Sequence, residues 1–218
     1  MKSKKGLLTM LVCLALIAVA GTSYATIITS NDTTKNVTTS NLDISLVQTL
    51  DGKELQRTSD DKYILNSITA MPGDTIDQSV AVKVAADSKA SYIRVTANRY
   101  WSDQNGNKVD DSINPAMIQL KADNNDWIMV EDELDQEIIY FYYRLPIDAG
   151  KVSSEMISGF MVGIGENGNS NKYAGYQSHI NFFAEGVQAV AGKDAMLAEW
   201  GVKANIGENN EIISLEVQ

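Results

Sequence analysis

His179 is the one histidine among 218 residues. It limits the chemistry this chain can carry. A zinc site of the HExxH type needs two histidines one helical turn apart, and they are missing. The single cysteine, Cys13, lies in the apolar run of residues 7–20. If that run is removed, no thiol nucleophile, disulfide or thiolate metal site remains. No GxSxG elbow occurs. A Ser-His-Asp set can converge from distant positions, but nothing local supports one. His179 alternates with Asn181 and Phe183, as a sheet residue does. No catalytic residue is assigned, and the chain is expected not to be an enzyme.

Carboxylates and glycines are the remaining chemistry-bearing patterns. Glu131, Asp132, Glu133, Asp135 and Glu137 form a dense run. Glycosidase carboxylates come from separate elements with different environments, so this run is expected to be a solvated loop. Gly163-Ile164-Gly165 with Gly168 has its third glycine misplaced for a phosphate loop, and no basic residue follows. Asp103, Asn105, Asn107, Asp110 and Asp111 bring oxygen side chains at alternating positions and are the calcium candidates. However, Gly106 falls between ligand positions and no Glu closes the loop. Asn105-Gly106 between two strand-like runs is a hairpin signal, so a hairpin without an ion is expected. No cofactor or metal is assigned.

Short alternating runs must position these residues. Leu42, Ile44 and Leu46 alternate with Asp43 and Ser45. Ile76, Val80, Val82 and Val84 oppose Thr75, Asp77, Ser79 and Lys83. Ile93, Val95 and Ala97 oppose Arg94, Thr96 and Asn98. Each pattern has the period of a half-buried strand. Residues 63–68 form a weaker strand, and Met71-Pro72-Gly73-Asp74 a turn. Residues 137–144 are apolar on both faces, which predicts a central strand. Residues 156–164 and 176–191 add two more, with Gly186 suggesting a bulge or bend. Asn114-Pro115 predicts a short helix over residues 116–122. A second helix is predicted over residues 193–200, with Asp194 as its cap. The pattern is that of an all-β antiparallel sandwich with one or two short helices.

The N-terminus reads as an export signal. Lys2, Lys4 and Lys5 precede the apolar run, and Ser23 and Ala25 supply a small-x-small site, placing the cut between Ala25 and Thr26. The run is shorter than a spanning helix needs, so no stable membrane anchor is expected after cleavage. Val12 before Cys13 does not resemble a lipoprotein site. Those three lysines leave 15 basic against 28 acidic side chains, a net charge of −13 beyond residue 25. Such a surface repels phosphate backbones, so nucleic acid is not an expected partner. Residues 30–41 are almost wholly polar and cannot bury an apolar face. Before them, Thr26, Ile27, Ile28 and Thr29 are β-branched and prefer an extended chain. The division is therefore residues 1–25 as signal peptide, 26–41 as extended N-terminal segment and 42–218 as sandwich domain.

The order of these features resembles a family. Gly21-Thr22-Ser23-Tyr24-Ala25 is followed by Asn41-Leu42-Asp43-Ile44-Ser45. Then come Met71-Pro72-Gly73-Asp74-Thr75, Val80-Ala81-Val82-Lys83 and Tyr92-Ile93-Arg94-Val95. Tyr140-Phe141-Tyr142-Tyr143 precedes Pro146, and Ala184-Glu185-Gly186-Val187-Gln188-Ala189 leads to Ala198-Glu199-Trp200. The chain resembles the TasA/camelysin-type proteins of Gram-positive bacteria, which are exported through a dedicated signal peptidase. The resemblance implies a jelly-roll-like sandwich and a secreted subunit of surface or biofilm-matrix fibres. It also implies that the N-terminal segment of one subunit completes the sheet of the next. The partners are then the signal peptidase during export and other copies or related matrix subunits afterwards. Camelysin-type members carry a metalloprotease label, but the histidine ligands it needs are absent here.

Three functional readings follow. The first is a structural fibre subunit with Thr26, Ile27, Ile28 and Thr29 as donor strand. Its alternative is a tail that folds back on its own subunit or stays mobile. The second is a carbohydrate- or surface-polymer-binding sandwich using Tyr100 and Trp101, residues equally suited to the core. The third is a secreted hydrolase.

Overall fold

A computed structural model of the chain describes residues 27–30, 33–34, 42–55, 73–110, 112–163 and 170–217. The signal segment with Ala25 and Thr26, the strand expected over residues 63–68, Met71-Pro72, Asp111 and the glycines from 165 to 168 lie outside the described residues.

Antiparallel strands dominate. One sheet of six runs in the order β2 (Thr33–Thr34), β1 (Ile27–Ser30), β12 (Gln177–Gln188), β7 (Ser91–Ser102), β10 (Ile138–Tyr143) and β9 (Trp127–Glu131). Facing it are two three-stranded sheets. One orders β4 (Lys53–Glu54), β3 (Ile44–Leu50) and β6 (Gln78–Val84). The other orders β5 (Thr75–Ile76), β11 (Gly159–Val162) and β8 (Ile118–Lys121). Isolated bridges Val80–Ile157 and Lys83–Val152 tie these smaller sheets together. The chain is an all-β antiparallel sandwich.

The alternating runs explain the layers. Leu42, Ile44 and Leu46 meet Val80, Val82 and Val84 from the small sheets. They pack against Ile93, Val95, Ala97, Ile139, Phe141, Phe182 and Ala184 of the large one. Period two thus turns one face of each strand inward. β10 lies between β7 and β9, as its apolar faces predict. Its second face is covered too. The helix α1 (Gly192–Trp200) and a hairpin of β13 (Val202–Ile206) and β14 (Ile212–Val217) lie over Tyr92, Tyr142 and Val187. No described helix is long and apolar enough to cross a membrane.

Three local expectations change. Asn114 Oδ1 accepts the Ala116 N–H, and Pro115 opens a turn, but that turn is a 3₁₀ piece over Pro115–Met117. The helix expected over residues 116–122 is instead β8, because Ile118 is fully buried and Gln119 exposed, a strand alternation satisfied by pairing with β11. Asp194 is not the cap of α1. That position is Ala191, which makes no side-chain cap, and Asp194 lies in the first turn, where its charge suits the helix dipole. Gly186 makes no bulge. Its pairing with Ile93 continues the β12–β7 ladder without a shift.

Candidate functional site

The N-terminal strand occupies an edge. β1 pairs antiparallel with β12 of its own chain, setting Ile27 against Gly186, Ile28 against Glu185 and Thr29 against Ala184. β2 then pairs back on β1 through Thr29–Thr34 and Ser30–Thr33. Of the expected donor-strand residues, Ile27, Ile28 and Thr29 are in this strand together with Ser30. The segment folds back on its own subunit here.

The recipient strand is shaped for close approach. A side chain at Gly186 would put its Cβ 3.2 Å from Leu42 Cδ2 and 3.3 Å from Ile93 Cδ1. Glycine here relieves tight core packing, which is a different role from the expected bend. Next to it, Glu185 points to the opposite face. The Arg94 Nε donates to Glu185 Oε2 at 2.8 Å, with Nη2 at 2.6 Å from the same oxygen. Arg94 also lies over the rings of Tyr140 and Trp200, each centroid 5.3 Å from its guanidinium carbon. This pair links the recipient strand to the C-terminal cover. Sequence reading missed it: Arg94 falls on the polar side of an alternating strand, and the one signal was Glu185 inside the otherwise apolar run Phe182–Val187.

The far end of β12 gathers the polar groups that could suggest catalysis. His179 stacks on Tyr100 with centroids 4.7 Å apart and planes 8° from parallel. Its Nε2 lies 2.7 Å from Ser102 Oγ. Desolvation pushes the imidazole below its ordinary pKa. Ser102 is completely enclosed and its hydroxyl also donates to the Asp103 carbonyl. A nucleophile needs a route to substrate, and this hydroxyl has none, so the pair closes the root of a hairpin. The Lys108 ammonium lies 5.8 Å from the Tyr100 centroid and 2.6 Å from Glu137 Oε2. Trp101 is buried with Tyr173 and Ile118, its indole N–H donating to the Asn114 carbonyl. Neither ring is a free platform for a sugar. Tyr100 is engaged by His179, and Trp101 is core.

Of the calcium candidates, Asp103, Asn105 and Asn107 form a hairpin loop closed by the Ser102–Lys108 bridge. Asp103 Oδ1 accepts the N–H groups of Asn105 and Asn107, and Oδ2 accepts from Asn107 Nδ2. Those hydrogen bonds, led by Asn107, hold the Asp103 carboxyl below its usual range. Gly106 takes φ +83°, as the Asn-Gly turn requires. Asp110 turns the other way and accepts from the Ser112 N–H, which lowers its pKa too. Its oxygens and those of Asp103 serve two separate turns.

The acidic run is only partly a solvated loop. Asp132 Oδ1 accepts from Leu134 and Asp135, and Asp135 Oδ1 from Glu137. Glu137 itself is buried against Lys108. Glu131 lies 3.4 Å from the buried Arg99, which also donates to the Gln136 and Ile118 carbonyls. Arg99 therefore bridges the two layers. Burial lowers its pKa, and Glu131 acts in the opposite direction. A shallow cleft beside Asp123 and Glu155 holds one amide, Asn124, and that amide is spent on Ser154 and Glu155.

Comparisons with protein-family models, curated proteins and solved structures find no match.

Proposed function

We propose that this chain is an exported, non-enzymatic structural subunit of cell-surface or extracellular matrix fibres, assembling by strand addition. The observation that carries the reading is the register of β1 on β12, with Ile27 at Gly186 and Thr29 at Ala184. The ladder uses backbone groups alone, so the same segment of a neighbouring copy can take the same register. Exchange of an identical element between copies adds few new contacts to find. The short strand is followed by a polar tether whose extended reach is about 3.3 Å per residue. The resemblance to TasA/camelysin-type proteins points the same way. On this reading export frees the strand, because the cut after Ala25 creates its N-terminus.

Electron microscopy of the chain starting at Thr26, beside one starting at Leu42, tests the proposal. The longer chain should form fibres and the shorter should remain a folded monomer. Ile27→Asp with Ile28→Asp should behave as the shorter chain does. If either altered chain polymerises as well as the parent, strand donation is wrong for this protein.

A further inference from the structure

The large sheet carries an apolar cluster on each face. On one, Ile93, Val95, Phe141 and Phe182 belong to the sandwich core. On the other, Tyr92, Tyr142 and Val187 pack under Met196, Trp200 and Ile212 of the C-terminal cover. The two clusters share no residue. Neighbouring residues of a strand turn to opposite faces, so the sheet is a wall between two separate cores. Burial in the sandwich core does not hold the cover shut.

The cover is held by packing and a few hydrogen bonds. Among the described residues, β13 and β14 pair only with each other. The Tyr92 hydroxyl donates to the Asn210 carbonyl at 2.7 Å, and Arg144 Nη1 to the Ile212 carbonyl at 2.9 Å. A single backbone bond among these residues crosses the seam, from the Ile212 N–H to the Arg144 carbonyl at 2.8 Å. Closure also carries a cost. Trp200 is buried, and its indole N–H has no hydrogen-bond partner among the described residues. Water satisfies that donor once the ring is uncovered. At the joint, β12 ends its ladder at Gln188, and the Ala189 N–H still bonds the Ala90 carbonyl. Val190 beyond it is 92% exposed, and α1 starts without a side-chain cap. Gly192 lies against Tyr92, where an added Cβ would be 2.6 Å from Cε2 of that buried ring.

We infer that residues 192–217 form a hinged cover that lifts from the large sheet as one piece, turning about residues 189–191 while the sandwich stays folded. Gly201, at φ +65°, turns α1 directly into β13, and β13 is zipped to β14 from Val202 to Ile206. Helix and hairpin therefore move together, as a locally cooperative unit does. Lifting bares Tyr92, Tyr142 and Val187, an aromatic face that the closed chain hides. The motion is independent of strand donation.

Native-state hydrogen exchange of the full chain, followed through rising urea below its unfolding transition, tests the hinge. Paired amides of β13 and β14 should exchange through one shared opening, faster than those of β7 and β10. Their urea dependence should be smaller, because lifting exposes less surface than unfolding. Gly192→Ala isolates the joint. Alanine suits a helix better than glycine, so the lifted cover tolerates it and only the closed seam is overpacked. Exchange in residues 202–217 should rise roughly tenfold, the scale of an overpacked contact, with β3 and β6 unchanged. Thiol labelling gives a second reading, because Cys13 is the only cysteine. In the full chain carrying Cys13→Ser, Ala195→Cys under the cover should react well before Ala97→Cys in the sandwich core, although both alanines are buried. Exchange of β13 and β14 at the same rate as β7 and β10 overturns the proposal. So does an equal loss of protection on both faces in Gly192→Ala, or equal labelling of the two thiols.

Discussion

Arg94 and Glu185 form a charge pair whose side chains are 13% and 12% exposed, on neighbouring strands under the C-terminal helix. Glu185 belongs to the strand that receives β1, and Arg94 reaches the Trp200 carbonyl at the end of α1, 3.4 Å away. The pair thus joins the recipient edge to the C-terminal cover. Removing one partner leaves a charge with little water to stabilise it.

Glu185→Ala should therefore destabilise the fold by about 3–5 kcal/mol, the range for breaking a buried ion pair. Glu185→Leu with Arg94→Met should recover most of that loss, because neither charge then remains. Urea unfolding of the three chains checks this. Equal losses in the single and double variants would show that packing of the arginine stem over Tyr140 and Trp200 outweighs its charge.

Gly186→Val should destabilise by roughly 1–3 kcal/mol through overpacking. Its Cβ would press on Leu42 and Ile93, whose flexible ends can give only a little. Gly159→Ala should unfold the β5–β11 edge more severely for its size. The added Cβ would lie 2.6 Å from the Ile76 carbonyl oxygen, a backbone atom that cannot swing aside. Thermal melts of the two variants should separate these cases.

The sandwich was legible because its core strands alternate cleanly: Leu42-Ile44-Leu46, Val80-Val82-Val84 and Ile93-Val95-Ala97 all face inward as their spacing says. Residues 118–121 misled because Asn114-Pro115 is a sound helix start, and only the pairing partner β11, distant in sequence, turns the chain into a strand. β13 carried a signal in Val202, Ala204 and Ile206, yet it follows a helix and a left-handed Gly201, where the chain reads as a tail. The polar ends were least legible. Ser102, His179, Lys108 and Glu137 come from four segments, and no local pattern announces their meeting. Glycine at 186 marked a special position, but sequence could not distinguish a bend from a notch filled by neighbouring side chains.

Trp101→Ala should cost about 3–5 kcal/mol, the range for truncating a buried aromatic residue. Trp101→Phe should cost less and leave the Asn114 carbonyl without its donor, worth about 1–3 kcal/mol if no water replaces it. Denaturant midpoints measure both. A Trp101→Ala chain that kept parental stability would return this ring to the surface and revive a ligand-binding role for it.

Acid should weaken the fold through His179. Burial holds its folded pKa below the ordinary value, so the unfolded chain binds the proton more readily. Stability rises with pH wherever the unfolded state holds more protons. The His179 contribution is therefore complete above its unfolded pKa of about 6.5 and is lost as pH falls from there through the lower folded value. The neighbours explain the desolvation: Tyr100 covers one face of the ring and the enclosed Ser102 lies at its Nε2. Being the only histidine, His179 should dominate the slope of stability against pH between roughly 5 and 7, the interval in which an ordinary imidazole titrates. His179→Gln keeps a polar side chain near Ser102 and removes the titration. Its chemical denaturation midpoint should vary less with pH over that interval than the parent's, while the acid limb below it, set by carboxylates such as Asp103, should persist. An unchanged slope in the variant would place the linkage in the carboxylates and leave His179 with a packing role alone.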